Sequence, residues 1–266
     1  MSGDFHPKSI RVLAEPTVYL LGRQVIDEGE LDRFLVDHGV SWQTDTEIAS
    51  EVLCETAGRV CYMSFAKPRP GGNAVYLGHI KEVGHGSVLE HAVWNFLFTG
   101  VSRSLTHELV RHRAGFGFSQ LSQRYVDESV AEYVEPAVIA GDTELHQLWL
   151  ESVAQSHKTY MALAEKLQNK FTDEPDKTAR RKAARQAARS VLPNATETKI
   201  FVTANARSLR HFLEQRGSRH AEPEIRLLAN KLLDVLAKES PNLFGDYRRE
   251  ALADGTFEVV TEFRKV

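Results

Sequence analysis

Cysteine is nearly absent, with two in 266 residues. Cys54 and Cys61 lie seven apart, off the four-residue helical spacing, so a local disulfide is not expected and a reducing cytoplasm suits the chain. Neither CxxC nor HExxH occurs, and the commonest zinc arrangements are absent with them. There is no G-x-G-x-x-G after a strand and no G-x-x-x-x-G-K-[ST], so the usual dinucleotide and P-loop folds are not indicated. No apolar run reaches the length of about eighteen that spans a bilayer, and no charged-then-apolar signal segment opens the chain. A soluble, cytoplasmic protein is expected. An excess of one charge is missing as well: 33 Lys and Arg stand against 36 Asp and Glu, a net of −3. That gives no general attraction to nucleic acid or anionic membrane, and local basic clusters become sites or solvated faces. With no linker, repeat or low-complexity segment, and with 42% apolar residues, one domain over 1–266 is expected.

Residues 1–15 have no period and are expected to form a loose arm. Thr17–Leu21 reads as a strand, and 24–41 is undecided. Thr44 and Glu47 suggest a capping box ahead of a helix whose apolar face carries Val52, Val60 and both cysteines. Lys67–Asn73 (KPRPGGN) is a turn. A short helix over 75–83 leads through GHGSVLEH (84–91) into a buried strand over 91–101. A long helix begins at Asp142 and runs to about Phe171, with Leu145, Leu148, Trp149, Val153, Tyr160 and Leu167 on its core stripe. Pro175 opens a second helix that Pro193 stops. Its cations Lys177, Arg181, Arg185 and Arg189 lie four apart, a mostly solvated face. Thr198–Ala204 is a strand ending at Asn205, followed by a helix with Arg207, His211 and, near the Gly217 stop, Arg216. A helix over 223–238 and a closing strand over 256–263 complete the chain.

The stretch that best predicts function is His107–Tyr125, HELVRHRAGFGFSQLSQRY. It starts as a helix, with Leu105 and Leu109 one turn apart, and breaks after Arg113 into a glycine-loosened loop of hydroxyls and amides. Glycine permits close backbone approach, and arginine offers a planar fork to phosphate. The bland alternative, cations complementing a helix C-terminus, explains one or two basic residues but not Arg-His-Arg followed by Ser, Gln and a further Arg. Asn205 and Arg207 at the start of the later helix make a second anion site on physical grounds, or else a capped helix with surface arginines. The histidines and Glu90 of GHGSVLEH could hint at a metal, but polar capping explains them, and no metal site is expected.

RHR followed by SQLSQRYV resembles the signature of the flavin-dependent thymidylate synthases. Eight residues (Ala114–Leu121) separate the second arginine from Ser122, where that family usually has seven. The Gly115–Gly117 region is the expected place for the extra one. GHxSxxEH, ARxxLP at 188–193 and the 205–225 block resemble the same family, in order, over about 44–230. The resemblance implies an α/β (α+β) fold, a twisted sheet flanked by long helices. It implies FAD contacts from Ser87, Arg111, His112, Arg113, Gln120, Asn205, Ala206, Arg207 and His211, the last at a position often Asn in the family. It implies a dUMP pocket of Glu108 (commonly Gln there), Leu109, Val110, Arg111, Gln120, Leu121, Ser122, Gln123, Arg124, Arg189 and Arg216, with Arg216 ionising the uracil ring. Homotetramers with composite active sites, methylenetetrahydrofolate as carbon donor and NADPH as reductant are implied too.

The residues suit that division of labour. Both cysteines sit on a core face without a base, so a cysteine nucleophile on the pyrimidine is not expected. A flavin would carry the electron chemistry while the protein orients and supplies charge. Two other classes stay open: a related methyltransferase acting on uracil in RNA, which the net charge of −3 disfavours, and a non-catalytic nucleotide-binding module, which would purify colourless.

Overall fold

The computed structural model describes residues 10–66, 70–126 and 128–264. The chain runs β1 (Arg11–Leu13), β2 (Thr17–Arg23), α1 (Glu28–Asp37), α2 (Ala49–Tyr62), α3 (Gly72–Glu82), β3 (Val93–Ser102), α4 (Arg103–Leu109) and β4 (Phe116–Gln120). It continues through β5 (Glu132–Val134), α5 (Ala137–Ala140), α6 (Thr143–Lys170), α7 (Lys177–Ala188), β6 (Glu197–Asn205), α8 (Ala206–Arg216), α9 (Pro223–Glu239), α10 (Pro241–Phe244), β7 (Arg248–Ala251) and β8 (Phe257–Val260). The class is mixed helix and sheet, as expected. The main sheet has the order β2-β3-β6-β4.

Two compact units share this chain. The first takes the segment ending at Thr17 with Phe98–Leu109 and Ser119–Ile200; the second takes Val18–Leu97, Val110–Phe118 and everything from Phe201 onward. In the first unit β1 pairs in parallel with β5, so residues 11–13 are a strand and not part of a loose arm; residues 1–9 lie outside those described. α6 opens where Asp142 accepts from the backbone N–H of Glu144 and Leu145 at 2.9 and 3.0 Å. It packs on α7 through Tyr160, Ala164 and Ala188. Small residues on one helix let the aromatic of the other approach. The expected α6 stripe is only partly covered: Leu145 and Leu148 at its start are 45% and 65% exposed, because periodicity fixes a face but not what covers it. On α7, Arg185 is not merely solvated, since it donates to the Tyr125 carbonyl at 2.9 Å.

In the second unit α8 and α9 bury Leu209, Phe212, Leu213, Leu228, Leu232 and Leu236, and Trp94 meets Phe244 edge-on. Burial of so many large apolar side chains is what holds these helices, at about 1.5–3 kcal/mol each. The undecided segment contains α1, whose Asp27 cap accepts from Glu30 N–H at 3.0 Å. The capping box at Thr44–Glu47 does not form. The helix starts at Ala49, and Thr46 instead caps Ile48 N–H and donates to Glu51 at 2.9 Å. Of the turn expected at 67–73, residues 67–69 lie outside those described, and Gly72 already begins α3. The closing strand pairs as a hairpin with β7.

The shared apolar face for the two cysteines is half right. Cys54 is buried, but Cys61 is exposed near the end of α2. Burial pushes the Cys54 thiol up to about 12, so it stays protonated and unreactive. A thiol reagent at neutral pH is expected to label Cys61 in the folded protein and Cys54 only on unfolding. Cys54→Ala is expected to lower stability by roughly 1–2 kcal/mol in urea melts, and Cys61→Ala by less than about 0.5 kcal/mol. A flavin-loaded, folded double mutant without activity would contradict the non-catalytic assignment.

Candidate active site

The Arg-His-Arg residues are not on a helix. α4 stops at Leu109, Val110 and Arg111 form a turn, and Arg111–Gly115 enter the second unit as a loop. The stretch from Phe116 is a strand, not the expected loop. Phe116, Phe118 and Gln120 alternate half-buried with exposed Gly117 and Ser119, a period of two that the glycines disguise. Gly115 turns the chain into that strand at φ +71°. A Cβ there would fall 2.0 Å from Ser208 Oγ and 2.7 Å from Asn205 Nδ2, so glycine is required. The turn thereby seals onto α8: Ser208 Oγ donates to the Ala114 carbonyl at 2.8 Å, while Asn205 caps the helix by accepting from Ser208 N–H at 2.9 Å.

Between the loop and α8 lies a cavity of about 900 Å³. Arg111, His112, Arg113, Asn205, Arg207, His211 and Arg216 all line it, which brings together most of the residues expected for the flavin along with Arg216. Ala206 is wholly buried, and its N–H donates to the Ala92 carbonyl at 2.8 Å. Ser87 is exposed on the 3₁₀ turn Gly86–His91 and does not line the cavity. Glu90 of that same turn does, paired with Arg207 at 2.6 Å. Arg216 Nε donates to His112 Nε2 at 3.1 Å. Burial first, then the neighbouring Arg216 and His211, push His112 down to about 4, so the imidazole is neutral at physiological pH.

The remaining expected nucleotide ligands, Val110 apart, belong to the first unit, where they are dispersed. Gln123 and Arg189 line a recess of about 280 Å³ together with Arg103, His107 and Asn194. Arg103 donates to the Leu121 carbonyl at 3.0 Å. Its Nε and the Nε2 of Gln123, a residue only 6% exposed, have no hydrogen-bond partner among the described residues. Burial lowers the Arg103 pKa, with Glu128 opposing and Arg189 adding to the effect. Two guanidiniums and an unpartnered amide in one recess fit an oxyanion. Gln120 lies outside the recess, its amide donating to Thr106 and Thr198 hydroxyls at 3.1 and 3.4 Å. Ser122 Oγ accepts from Arg124 N–H at 3.4 Å, and the Arg124 guanidinium sits 6.0 Å from the Tyr125 ring centre. Glu108 is half-buried, Leu109 buried and Val110 exposed; none of the three lines either cavity.

A family model for the thymidylate synthase complementing protein matches residues 44–242. A flavin-dependent thymidylate synthase of Mycobacterium tuberculosis is 51% identical over 86% of this chain and 91% of its own. Its counterpart in Mycolicibacterium gilvum is 52% identical over 84% and 88%. The chain belongs to this family. The chain in a crystal structure of the UMP/dUMP methylase PolB from Streptomyces cacaoi bound with 5-Br dUMP shares its fold with this chain. The likeness has a TM-score of 0.63 at 21% identity, over 89% of this chain and 96% of that one.

The cavity fits the flavin that the family's name implies. Four guanidiniums (Arg111, Arg113, Arg207 and Arg216) face one carboxylate, Glu90, a formal excess suited to a pyrophosphate. The rings of Phe116 and His211 each lie 5.8 Å from that of His112, centre to centre, and the volume is in the range of pockets for large ligands, about 300–1,000 Å³. Sequence reasoning gave no site role to Gln215 and Ser208 here or to Arg103 and Asn194 in the recess; it weighed Glu90 only as a metal candidate, and it placed His107 at the head of the functional stretch without a role. Arg103 could have been found, since it stands four residues before His107 at helical spacing.

Proposed function

We propose that the chain converts dUMP to dTMP with FAD in the large cavity, methylenetetrahydrofolate as carbon donor and NADPH as reductant, working as a homotetramer with active sites shared between subunits. That it is a flavin-dependent thymidylate synthase, and so a methyltransferase, follows from the family; the donors, the assembly and the residue roles are the proposal. The observation that carries these roles is the convergence of the RHR loop and α8 on one cationic cavity.

FAD, when bound, supplies the electron transfer that the side chains lack. The protein's own part is binding and charge. Arg111, Arg113, Asn205 and Arg207 hold the cofactor's anionic and polar groups. Arg189, with Arg103 and Gln123, takes the nucleotide phosphate, where the guanidinium fork suits two oxygens at once. Ser122 is a hydrogen-bonding ligand, not a covalent nucleophile. Glu108 accepts but does not donate at neutral pH. Arg216 faces the uracil edge, where it stabilises negative charge developing on the ring and makes C5 more nucleophilic.

The test is an absorption spectrum of the purified protein followed by a dUMP titration. A flavin spectrum released on denaturation, or appearing when FAD is added, is expected, with perturbation of the flavin bands by dUMP. A protein colourless at saturating FAD would sink the cofactor assignment for this cavity.

A further inference from the structure

We propose that His112 is a positioning residue: by accepting a hydrogen bond from Nε of Arg216, it fixes the plane in which that guanidinium meets the pyrimidine. The inference rests on the reading of Arg216 as the group facing the uracil ring. It gives His112 a task beyond the flavin contact expected of it.

The geometry is specific. The 3.1 Å contact runs from Arg216 Nε to His112 Nε2. Guanidinium only donates, so Nε2 is the acceptor and the imidazole proton resides on Nδ1, a tautomer inferred from this bond. The ring is fixed in turn by Phe212, Phe116 and His211, with centroids at 5.3, 5.8 and 5.8 Å. Arg216 is the last residue of α8, where a long side chain has many rotamers open to it. A bond at Nε restricts that freedom and sets the plane of the guanidinium.

The charged and titratable surroundings favour this arrangement. Arg216 and His211 face the imidazole from α8, Arg111 and Arg113 flank it on its own loop, and Glu90 and Arg207 line the same cavity. An imidazolium here would add a cation to a cationic cluster and would have no lone pair left for Arg216. The depressed basicity of His112 keeps the acceptor available at working pH. A histidine used this way is not placed to act as a general acid.

The experiment is a double-mutant cycle between positions 112 and 216, run on flavin-loaded protein with loading read from the flavin absorption. His112→Phe keeps the ring packing and removes the acceptor; His112→Gln keeps a neutral acceptor. His112→Phe is expected to lower kcat roughly ten- to a hundredfold, the range for losing a hydrogen bond to a charged group. His112→Gln should recover most of that loss. In an Arg216→Lys background, His112→Phe should cost less than about twofold more, because both changes remove one arrangement. A second readout is the ultraviolet difference spectrum of bound dUMP across pH, which reports ring ionisation. Its midpoint should move up in His112→Phe, a change that a purely structural role would not produce. Should His112→Phe fail to fold or load flavin, the comparison passes to His112→Gln and His112→Asn, of which only the longer amide is expected to reach Nε. Losses at 112 and 216 that multiply, or an unchanged midpoint in His112→Phe or in His112→Asn, would overturn the positioning role and leave Arg216's own role intact. An unimpaired Arg216→Lys would overturn the reading of Arg216, and this inference with it.

Discussion

Arg216→Lys is expected to fold, to keep its flavin, and to turn over dUMP about two orders of magnitude more slowly than the parent protein. Uracil N3–H is weakly acidic, and charge that develops on the ring toward the transition state is stabilised by a donor already in place. Losing one such preorganised donor costs roughly 10²–10³ in kcat. Lysine keeps the positive charge, so any deficit isolates the value of the planar fork. It also has no nitrogen at the Nε position, and the 3.1 Å bond to His112 has no equivalent in it. The ammonium would be a point charge on a mobile stem, free to leave the ring edge. The measurement is steady-state kcat and KM for dUMP at saturating reductant and folate. A fall in kcat with modest change in KM is the signature of an interaction made mainly in the transition state. Turnover within a few-fold of the parent would mean the ring is activated elsewhere, with Arg111 the first alternative in the same cavity.

How much of this was legible in the sequence depends on whether the signal was local. α6, α7, β6 and α8 were legible because caps and periodicity agree: Asp142, Asp176 and Asn205 all accept from N–H groups in the first turn of the helix they open. β1, of three residues, pairs with the distant β5, which no window of residues displays, and β7, of four residues, is exposed throughout and shows no apolar alternation although its partner is the neighbouring β8. α1 escaped because its apolar pattern is weak and its main local cue is Asp27. The site shows the same division. Residue types and order singled out Arg111, His112, Arg113, Asn205, Arg207, His211 and Arg216, which line one cavity. The helix expected to carry Arg111 and His112 ends two residues earlier, so helical spacing was the wrong ruler there. Side chains that line a cavity from a neighbouring turn, such as Glu90, have no sequence mark of their own beyond their type. Exposure of Cys61 and of Leu148 was equally out of reach, since burial depends on what packs against a face.

Asp246→Ala is expected to produce the largest loss of stability, about 3–5 kcal/mol, as is usual when one partner of a buried ion pair is removed. Its carboxylate accepts from Arg210 Nη1 and Nη2, both at 2.8 Å, from Lys81 Nζ at 2.7 Å, and from the Thr261 hydroxyl. Arg210 is 0% exposed and Lys81 5%, so the alanine variant leaves two buried cations without their carboxylate. Carbonyls of Leu243 and Asn242 would still accept from them, which keeps the loss finite. Burial alone would raise the Asp246 pKa. Hydrogen bonds and charge from Arg210, and then Lys81, outweigh it and hold the group at about 2, against an ordinary 3.8. The sign follows: the folded state binds this proton more weakly than the unfolded chain does. The contribution is therefore complete above the unfolded pKa of about 4 and is lost as pH falls toward 2. Asp246→Asn should accordingly flatten the acid limb of stability against pH as well as lower the plateau. The check is urea unfolding of the parent and both variants at neutral pH and through the acid range. The network ties Thr261 and the Phe263 carbonyl to Arg210 on α8, the helix that also carries Arg207, His211 and Arg216. Weakened flavin retention in Asp246→Ala at temperatures where it remains folded is therefore expected as well. A cost under about 1 kcal/mol would mean that water or a shifted backbone carbonyl replaces the carboxylate, and that the network does not hold α8.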